Sequence, residues 1–202
     1  MDSPELAAAE LEWPLPACGS RTRLRSLRSD DLAAFQAYRN DAEVARYQGW
    51  QPMAEADAAR FIRSMTAVRG AKLGAWIQLG IAARAGDTLI GDIGLFLADS
   101  GQQAEIGFSC SRAYQGQGLA SEAVGLLLQL LSRHSDCRVV RAVVDARNER
   151  SIRLLERLEF ARAGEHQADF RGEPCVELTY VRQLHPDPAD TPVQDPVGAS
   201  PP

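Results

Sequence analysis

The 202-residue sequence has no long apolar run, no concentration of basic residues and no closely spaced cysteines. No stretch approaches the roughly 18 consecutive apolar residues of a membrane span. The acidic start also lacks the basic region and short apolar run of a signal peptide. The formal net charge is −5, whereas affinity for nucleic acid requires a basic face. We therefore expect a cytoplasmic protein with no membrane and no nucleic acid as partner.

Cysteine is scarce, which excludes a disulfide framework. Cys18, Cys110, Cys137 and Cys175 are far apart, and no C-x-x-C pair or histidine stands at zinc-ligand spacing. Widely separated single cysteines are typical of reduced thiols that pack as small apolar side chains. The sequence therefore predicts mostly buried thiols and no metal site.

Proline is nearly missing from the middle of the chain, which locates the folded part. Only Pro52 and Pro174 of the eleven prolines lie within residues 21–184, and this segment carries a net charge of +2. The flanking segments are acidic and rich in proline, and from residue 185 onward the composition cannot bury enough apolar surface to fold. We predict an acidic N-terminal extension over 1–20, one domain over 21–184 and a disordered tail over 185–202.

Hydrophobic periodicity assigns the domain to the α/β (α+β) class. The pattern alternates between periods of 2, typical of strands, and 3.6, typical of helices, in the order β-α-α-β-β-β-α-β-α-β-β. It predicts a central, mostly antiparallel mixed sheet of about seven strands, flanked by about four helices, with one strand-helix-strand unit. The predicted elements are 22–27, 30–41, 55–68, 75–83, 88–98, 103–111, 118–131, 139–144, 148–158, 160–169 and 176–184. Leu11, Trp13 and Leu15 also alternate and would form an extended strap against the domain.

A strand with one small, polar face precedes a glycine-bearing turn. In Glu105 to Ser111 the apolar side chains are Ile106, Phe108 and Cys110. The turn Tyr-Gln-Gly-Gln-Gly-Leu-Ala-Ser follows at 114–121 and opens a helix. Free backbone N–H groups at a helix N-terminus bind phosphate, and glycines allow a ligand to approach closely. We predict a phosphate or pyrophosphate site in this turn.

Two segments together resemble a known family. Gln115, Gly118 and Ala120 match the pattern [QR]-x-x-G-x-[GA], and the helix from Asn148 matches N-x-x-S-x-x-L-x-E up to Glu156. The pair, with E-I-G-F before the loop, resembles the GNAT superfamily of N-acetyltransferases over residues 21–184, and most closely its RimJ/RimL branch of ribosomal-protein N-terminal acetyltransferases. Glu159 departs from the pattern, because glycine usually ends this helix in the left-handed conformation.

The resemblance implies the GNAT fold and acetyl-CoA as cosubstrate. The loop backbone would bind the pyrophosphate, and the strand backbone and the next helix would bind the pantetheine arm. The implied cofactor-binding residues are Phe108, Ser109, Cys110, Gln115, Gly116, Gln117, Gly118, Leu119, Ala120, Ser121, Asn148 and Ser151. By residue type, Asn148 and Ser151 would equally serve as a helix N-cap and a first-turn hydroxyl.

Two candidate catalytic residues follow from the same resemblance. Glu105, on the polar strand face, would act as general base, directly or through a water molecule, and Ser151 would protonate the departing thiolate. A purely structural interpretation of Glu105, as a solvated strand carboxylate, stays open. Cys110 is a weak candidate for a covalent nucleophile, because its side chain falls on the apolar face.

The acceptor would be bound between the first helix pair and the last hairpin. Tyr47, Trp50 and His166 are the candidate substrate-binding residues, although Tyr47 and Trp50 would equally close the core. The predicted function is transfer of an acetyl group from acetyl-CoA to a primary amine, of a small molecule or a protein N-terminus, in a ternary complex. The alternative is a non-catalytic GNAT-fold module that binds acyl-CoA. A homodimer is possible, but no feature of the sequence specifies one.

Overall fold

The computed structural model describes residues 10–184. Residues 1–9 and the predicted tail 185–202 lie outside the described residues, so the predicted disorder of the tail stays a prediction. No helix within residues 10–184 is long and apolar enough to cross a membrane.

An eight-stranded mixed sheet forms the centre of the fold, in the order β2-β3-β5-β6-β7-β8-β10-β9. A separate antiparallel pair, β1 and β4, covers one part of it. The strands are β1 Glu10–Glu12, β2 Ala17–Cys18, β3 Thr22–Ser26, β4 Gly70–Lys72, β5 Ala75–Ala83, β6 Leu89–Leu97, β7 Gln103–Cys110, β8 Val139–Asp145, β9 Ala161–Phe170 and β10 Glu173–Gln183. Among the strands of residues 10–184, β7 and β8 form the one parallel pair, because helix α4 crosses between them.

Five α-helices pack on the sheet. They are α1 Leu32–Arg39, α2 Ala42–Ala45, α3 Glu55–Met65, α4 Leu119–His134 and α5 Glu149–Arg157. The longest, α4, buries a stripe that includes Val124, Leu127 and Leu131 against the sheet. A second apolar cluster around Phe35, Tyr38 and Ile62 packs α1 and α3 against β5 and β6. Helix α2 with the loop after it, the end of β7, the start of α4, and α5 line the site described below.

The predicted order of elements and the parallel strand-helix-strand unit are confirmed. The sheet has eight strands rather than about seven, and α2, β1, β2 and β4 went unpredicted because they are only two to four residues long. Such short segments show no detectable periodicity. The predicted strap is confirmed for Trp13, which is buried and donates from Nε1 to the His134 carbonyl at 3.3 Å.

Helix α5 ends in the left-handed conformation despite its non-glycine residue. Glu159 has φ 59°, and the Phe160 N–H donates to the Leu155 carbonyl at 3.0 Å, the bond that closes a Schellman-type helix end. Phe160 is buried beside it. The departure at Glu159 therefore leaves the left-handed helix end in place, because burial of Phe160 outweighs the cost of about 1 kcal/mol for a left-handed residue with a side chain.

Candidate active site

The two central strands separate at one end and leave a gap in the sheet. Pairing of β7 with β8 extends from Gln103 opposite Val139 to Ile106 opposite Ala142, and stops there. Strand β7 continues to Cys110, paired with β6 alone. A wedge-shaped gap therefore opens beside the last residues of β7.

The strand register decides which backbone groups face this gap. The Ser111 N–H donates to the Ile90 carbonyl of β6 at 2.8 Å, and every second residue of an antiparallel pair makes such bonds. The backbone of Ser109 is thus directed at β6. Phe108 and Cys110 direct theirs at the gap, so only these two of the three successive residues predicted to bind pantetheine present their backbone there.

Two glutamine side chains donate hydrogen bonds to the backbone carbonyls that face the gap. Gln48 donates from Nε2 to the Phe108 carbonyl at 3.3 Å, and Gln115 donates from Nε2 to the Cys110 carbonyl at 2.9 Å. Since the carbonyls have these partners, the N–H groups of Phe108 and Cys110 are what the strand offers a ligand. Gln48, which the sequence analysis missed, joins the loop after α2 to this strand.

A cavity of about 1020 Å³ extends from the gap along the start of α4 to α5. Most of the predicted cofactor-binding residues line it, namely Phe108, Ser109, Cys110, Gln115, Gly116, Gly118, Leu119, Ala120, Ser121, Asn148 and Ser151. Gln117 is not in the lining. Its amide donates to the Ala113 carbonyl at 3.0 Å, and its own carbonyl accepts from Arg21 at 2.9 Å.

The glycine loop has the backbone that an anion site requires. Gly116 and Gly118 have φ of 75° and 78°, a region that residues with a Cβ adopt at a cost. Gly118 is the N-cap of α4, so the first N–H groups of the helix and its positive end point into the cavity. The predicted loop conformation at a helix N-terminus is thus observed.

Asn148 caps a helix and also borders the cavity. It is the N-cap of α5, where its Oδ1 accepts from the Ser151 N–H at 3.2 Å, and it lines the cavity. The same bond fixes the backbone at Ser151, which also lines the cavity.

The structure does not bring Glu105 to the cavity. Its carboxylate lies 3.4 Å from Arg141 of β8 and is 37% exposed, and Glu105 is absent from the cavity lining. Phe108 lies three positions further along the strand, about 10 Å away at the usual rise. The structural interpretation, a solvated strand carboxylate, matches this geometry better than direct contact with a substrate.

The three predicted substrate residues differ in position. Tyr47 lines the cavity, with the guanidinium groups of Arg46 and Arg147 5.3 and 5.8 Å from its ring centre. Trp50 does not line it. Its ring packs on the second apolar cluster with the Arg39 guanidinium 4.4 Å from the ring centre, so closing the core is its observed role.

His166 lies away from the cavity on β9. Its Nε2 is 3.1 Å from the Glu177 carboxylate of β10, and its side chain is half exposed. The β9–β10 hairpin contacts the loop after α2, which carries Tyr47, through another residue. Arg171, in the β9–β10 turn, donates to the carbonyls of Gln48 at 3.3 Å and Trp50 at 3.0 Å.

Cys110 lines the cavity as a neutral thiol. Burial, with the nearby Asp92 carboxylate as a smaller cause, raises its pKa to about 11. A thiol with this pKa is almost wholly protonated at neutral pH and is a poor nucleophile. The predicted absence of a covalent role for Cys110 agrees with this environment.

The cavity is strongly cationic, which the sequence analysis did not anticipate. Six arginines but only two glutamates line it: Arg46, Arg112, Arg147, Arg150, Arg153 and Arg157, with Glu43 and Glu149. The chain as a whole is acidic, so the cavity is opposite in sign to the protein. Three of these arginines occur at i, i+3 and i+7 along α5, a spacing that could have been recognised in the sequence as one helix face.

A mixed sheet whose one parallel pair opens beside a helix N-terminus is the architecture of an α/β acyltransferase. The chain belongs to the acetyltransferase (GNAT) domain family, because the model of this family matches residues 21–161. It is a GNAT N-acetyltransferase.

Relatives agree with this assignment. The chain is 30% identical over 146 residues to the uncharacterized N-acetyltransferase p20 of Bacillus licheniformis, covering 71% of this chain and 81% of p20. RimL, a ribosomal α-N-protein acetyltransferase solved with coenzyme A, has a TM-score of 0.74 at 18% identity, covering 85% of this chain and 99% of RimL. Spermidine N-acetyltransferase from Vibrio cholerae, solved with CoA and spermine, has a TM-score of 0.71 at 18% identity over 82% and 97%. These two structures share the fold.

Proposed function

We propose that this protein transfers the acetyl group of acetyl-CoA to a primary amine by direct attack in a ternary complex. The observation that carries the proposal is the continuity of one cavity, from the N–H groups of Phe108 and Cys110 to the glycine loop at the start of α4. An extended arm ending in a pyrophosphate fits this arrangement, because the strand edge offers N–H donors and the loop offers an anion site.

The residues present fit the cosubstrate. Backbone N–H groups from Gly116 to Ser121 would hold the pyrophosphate, and the N–H groups of Phe108 and Cys110 would hold the pantetheine arm. RimL and the Vibrio cholerae spermidine acetyltransferase were solved with CoA in the same fold. When bound, acetyl-CoA supplies the thioester carbonyl as electrophile.

The protein's own groups position the reaction and manage its protons. A strand N–H at the gap would donate to the carbonyl oxygen as negative charge develops there. The Ser151 hydroxyl would donate a proton to the departing sulfur and take up the proton that the attacking nitrogen loses as the amide forms, so the enzyme ends with no net change in protons. No acyl-enzyme is required, because the amine would attack the thioester directly in the ternary complex.

The acceptor would enter between the loop after α2 and the end of β7. Tyr47 lines this part of the cavity, and Gln48 and Arg171 fix the loop that carries it. We propose a primary amine, of a protein N-terminus or a small molecule. RimL, an α-N-protein acetyltransferase, and spermidine N-acetyltransferase act on acceptors of these two kinds. Cytoplasmic location and a possible homodimer stay predictions.

The cosubstrate assignment is tested at Gly118. Replacing Gly118 by glutamate places a carboxylate against the proposed pyrophosphate, at a position where an added Cβ already lies 3.2 Å from Arg21 Nη2. We expect the affinity for acetyl-CoA, measured by titration calorimetry, to fall at least about 100-fold, which corresponds to 2.7 kcal/mol of binding free energy.

Two variants control this experiment. Gly118→Ala imposes the same left-handed strain without the charge, and Gly125→Glu adds the charge to the same helix where a Cβ meets no atom within 4 Å. Both should bind acetyl-CoA much more tightly than Gly118→Glu. Undiminished binding by Gly118→Glu would contradict the loop assignment, and a folded wild type that binds no acetyl-CoA would overturn the proposed function.

The catalytic roles are tested by a pair of substitutions. Ser151→Ala keeps the backbone N–H that Asn148 accepts, so the helix cap stays and only the hydroxyl is lost. We expect its kcat to fall by about 100-fold, in the range of general acid catalysis, with little change in the binding of acetyl-CoA.

Glu105→Gln tests whether Glu105 acts as the general base. Because Glu105 lies outside the cavity lining, we expect its kcat across a pH series to stay near that of the wild type with any amine that is turned over. A large loss of kcat in Glu105→Gln at low pH, recovered at high pH, would restore the general-base role. Wild-type kcat in Ser151→Ala would remove the proton-donor role.

A further inference from the structure

Two arginines of the cavity face the phosphate loop without a carboxylate partner. Four of the six cavity arginines form ion pairs: Arg46 with Glu43, Arg112 with Asp41, Arg147 with Asp145 and Arg153 with Glu149. Within residues 10–184, Arg150 and Arg157 form none. Their hydrogen-bond partners are neutral, which leaves two full positive charges beside the loop.

These two arginines contact opposite ends of the loop. Arg150 donates from Nη1 to Gln115 Oε1 at 2.6 Å, and Gln115 is itself bonded to the end of β7. Arg157 donates from Nη1 to Ser121 Oγ at 3.5 Å, in the first turn of α4. Arg150 therefore lies at the strand end of the cavity and Arg157 at the far end.

A single pyrophosphate does not account for both charges. The two residues are seven positions apart on α5, about 10 Å along the helix axis, which is much longer than a pyrophosphate group. The loop N–H groups and the positive end of α4 already stabilise the negative charge of a pyrophosphate. Arg150 adds a positive charge on the side of the loop nearest β7. Arg157 thus faces a position further out, on the nucleotide side of the pyrophosphate.

We propose that Arg157 binds the 3′-phosphate monoester of the coenzyme A ribose and makes the enzyme selective for coenzyme A over its dephosphorylated form. The inference rests on the proposed function. Guanidinium matches a phosphate monoester because it offers two N–H groups in one plane, and such charge-assisted bonds are stronger than neutral ones. The long, exposed Arg157 side chain can leave Ser121 Oγ for this partner, because a bond of 3.5 Å to a hydroxyl is weak.

The test compares two probes on the same proteins. Titration calorimetry measures the dissociation constants of CoA and of 3′-dephospho-CoA for wild type, Arg157→Gln and Arg162→Gln. Arg162 is exposed on β9, outside the cavity, so its substitution removes the same charge without the contact. We expect wild type and Arg162→Gln to bind CoA about 10- to 100-fold more tightly than dephospho-CoA, the range of one or two charge-assisted hydrogen bonds.

In Arg157→Gln this preference should fall to within about 3-fold through weaker binding of CoA alone, with the affinity for dephospho-CoA unchanged. Equal affinity of the wild type for both probes would overturn the assignment of a 3′-phosphate site. Equal weakening of both probes in Arg157→Gln would also overturn it, since Arg157 would then act on the pyrophosphate. Failure of the wild type to bind either probe is the separate result that overturns the proposed function as well.

Discussion

Asp92→Ala is expected to lower the free energy of unfolding by about 3–5 kcal/mol, the cost of leaving a buried charge without its partner. The Asp92 Oδ2 atom accepts from Arg39 at 2.6 and 3.1 Å and from the Tyr38 hydroxyl at 2.5 Å. Asp92 is 1% and Arg39 4% exposed. Removing the carboxylate would leave the Arg39 guanidinium buried without a counter-ion in the apolar layer between α1 and the sheet.

Urea denaturation of three further variants makes this prediction specific. Glu165→Ala breaks an exposed pair with Arg162 and should cost less than about 1 kcal/mol. The double variant Arg39→Met with Asp92→Leu removes both buried charges and should recover most of the loss, while Arg39→Met alone should not. A loss in Asp92→Ala no larger than in Glu165→Ala would contradict the prediction.

The Asp92 pair also bears on the acceptor side of the site. The Arg39 guanidinium lies 4.8 Å from the ring centre of Phe35 and 4.4 Å from that of Trp50. Trp50 closes the loop that carries Tyr47 and Gln48. A polar contact buried in the core thus holds the loop that borders the cavity, and Trp50 acts through this contact rather than by facing the substrate.

Glu122→Gln is expected to lower the free energy of unfolding by about 2–3 kcal/mol at pH 7. Burial alone would raise the pKa of Glu122, but the N–H groups of Arg21 and Thr22, with the Thr22 and Ser20 hydroxyls, outweigh it and lower the pKa to about 2 from the ordinary 4.5. Donor distances of 2.8 to 3.0 Å support this cause. The shift of roughly two and a half units corresponds to about 3 kcal/mol.

The sign of the pH dependence follows from the lowered pKa. The ionised carboxylate stabilises the fold fully above pH 4.5, the value in the unfolded chain, and this contribution is lost as the pH falls towards 2. The difference between wild type and Glu122→Gln in urea denaturation should therefore shrink between pH 4.5 and 2. Glu55→Gln, in the exposed first turn of α3, controls for the helix dipole alone, worth about 0.3–1 kcal/mol.

A pH-independent difference, or one no larger than that of Glu55→Gln, would contradict this account. Glu122 matters for the site because it sits one turn inside α4. Its bonds to Arg21 and Thr22 fix the start of α4 to β3, and hence fix the glycine loop at the mouth of the cavity. Sequence reasoning had no means of finding this contact, since the partners are 100 and 101 residues apart in the chain.

The site itself was predicted unevenly. The glycine loop was predicted from its local pattern, and Asn148 and Ser151 were predicted from the family resemblance. The structure places these residues in the cavity lining. Tyr47 was found as an aromatic residue in a turn. Three other residues were assigned to the site from their strand face or from their place in the chain: Glu105, Trp50 and His166. Each lies outside the cavity lining, because a partner on a neighbouring strand or in the core holds its side chain elsewhere.

The sequence by itself determined the order of elements, the strand-helix-strand unit, the glycine loop at the start of α4 and the family. These properties follow from periodicity and short-range backbone chemistry, which act within a few residues. Only the tertiary structure decided where β7 and β8 separate. It also decided that the backbone N–H groups of Phe108 and Cys110, rather than that of Ser109, face the gap, and which cavity arginines have no carboxylate partner within residues 10–184. Strand register and ion pairing depend on residues far apart in the chain, so they are fixed only when the whole sheet packs.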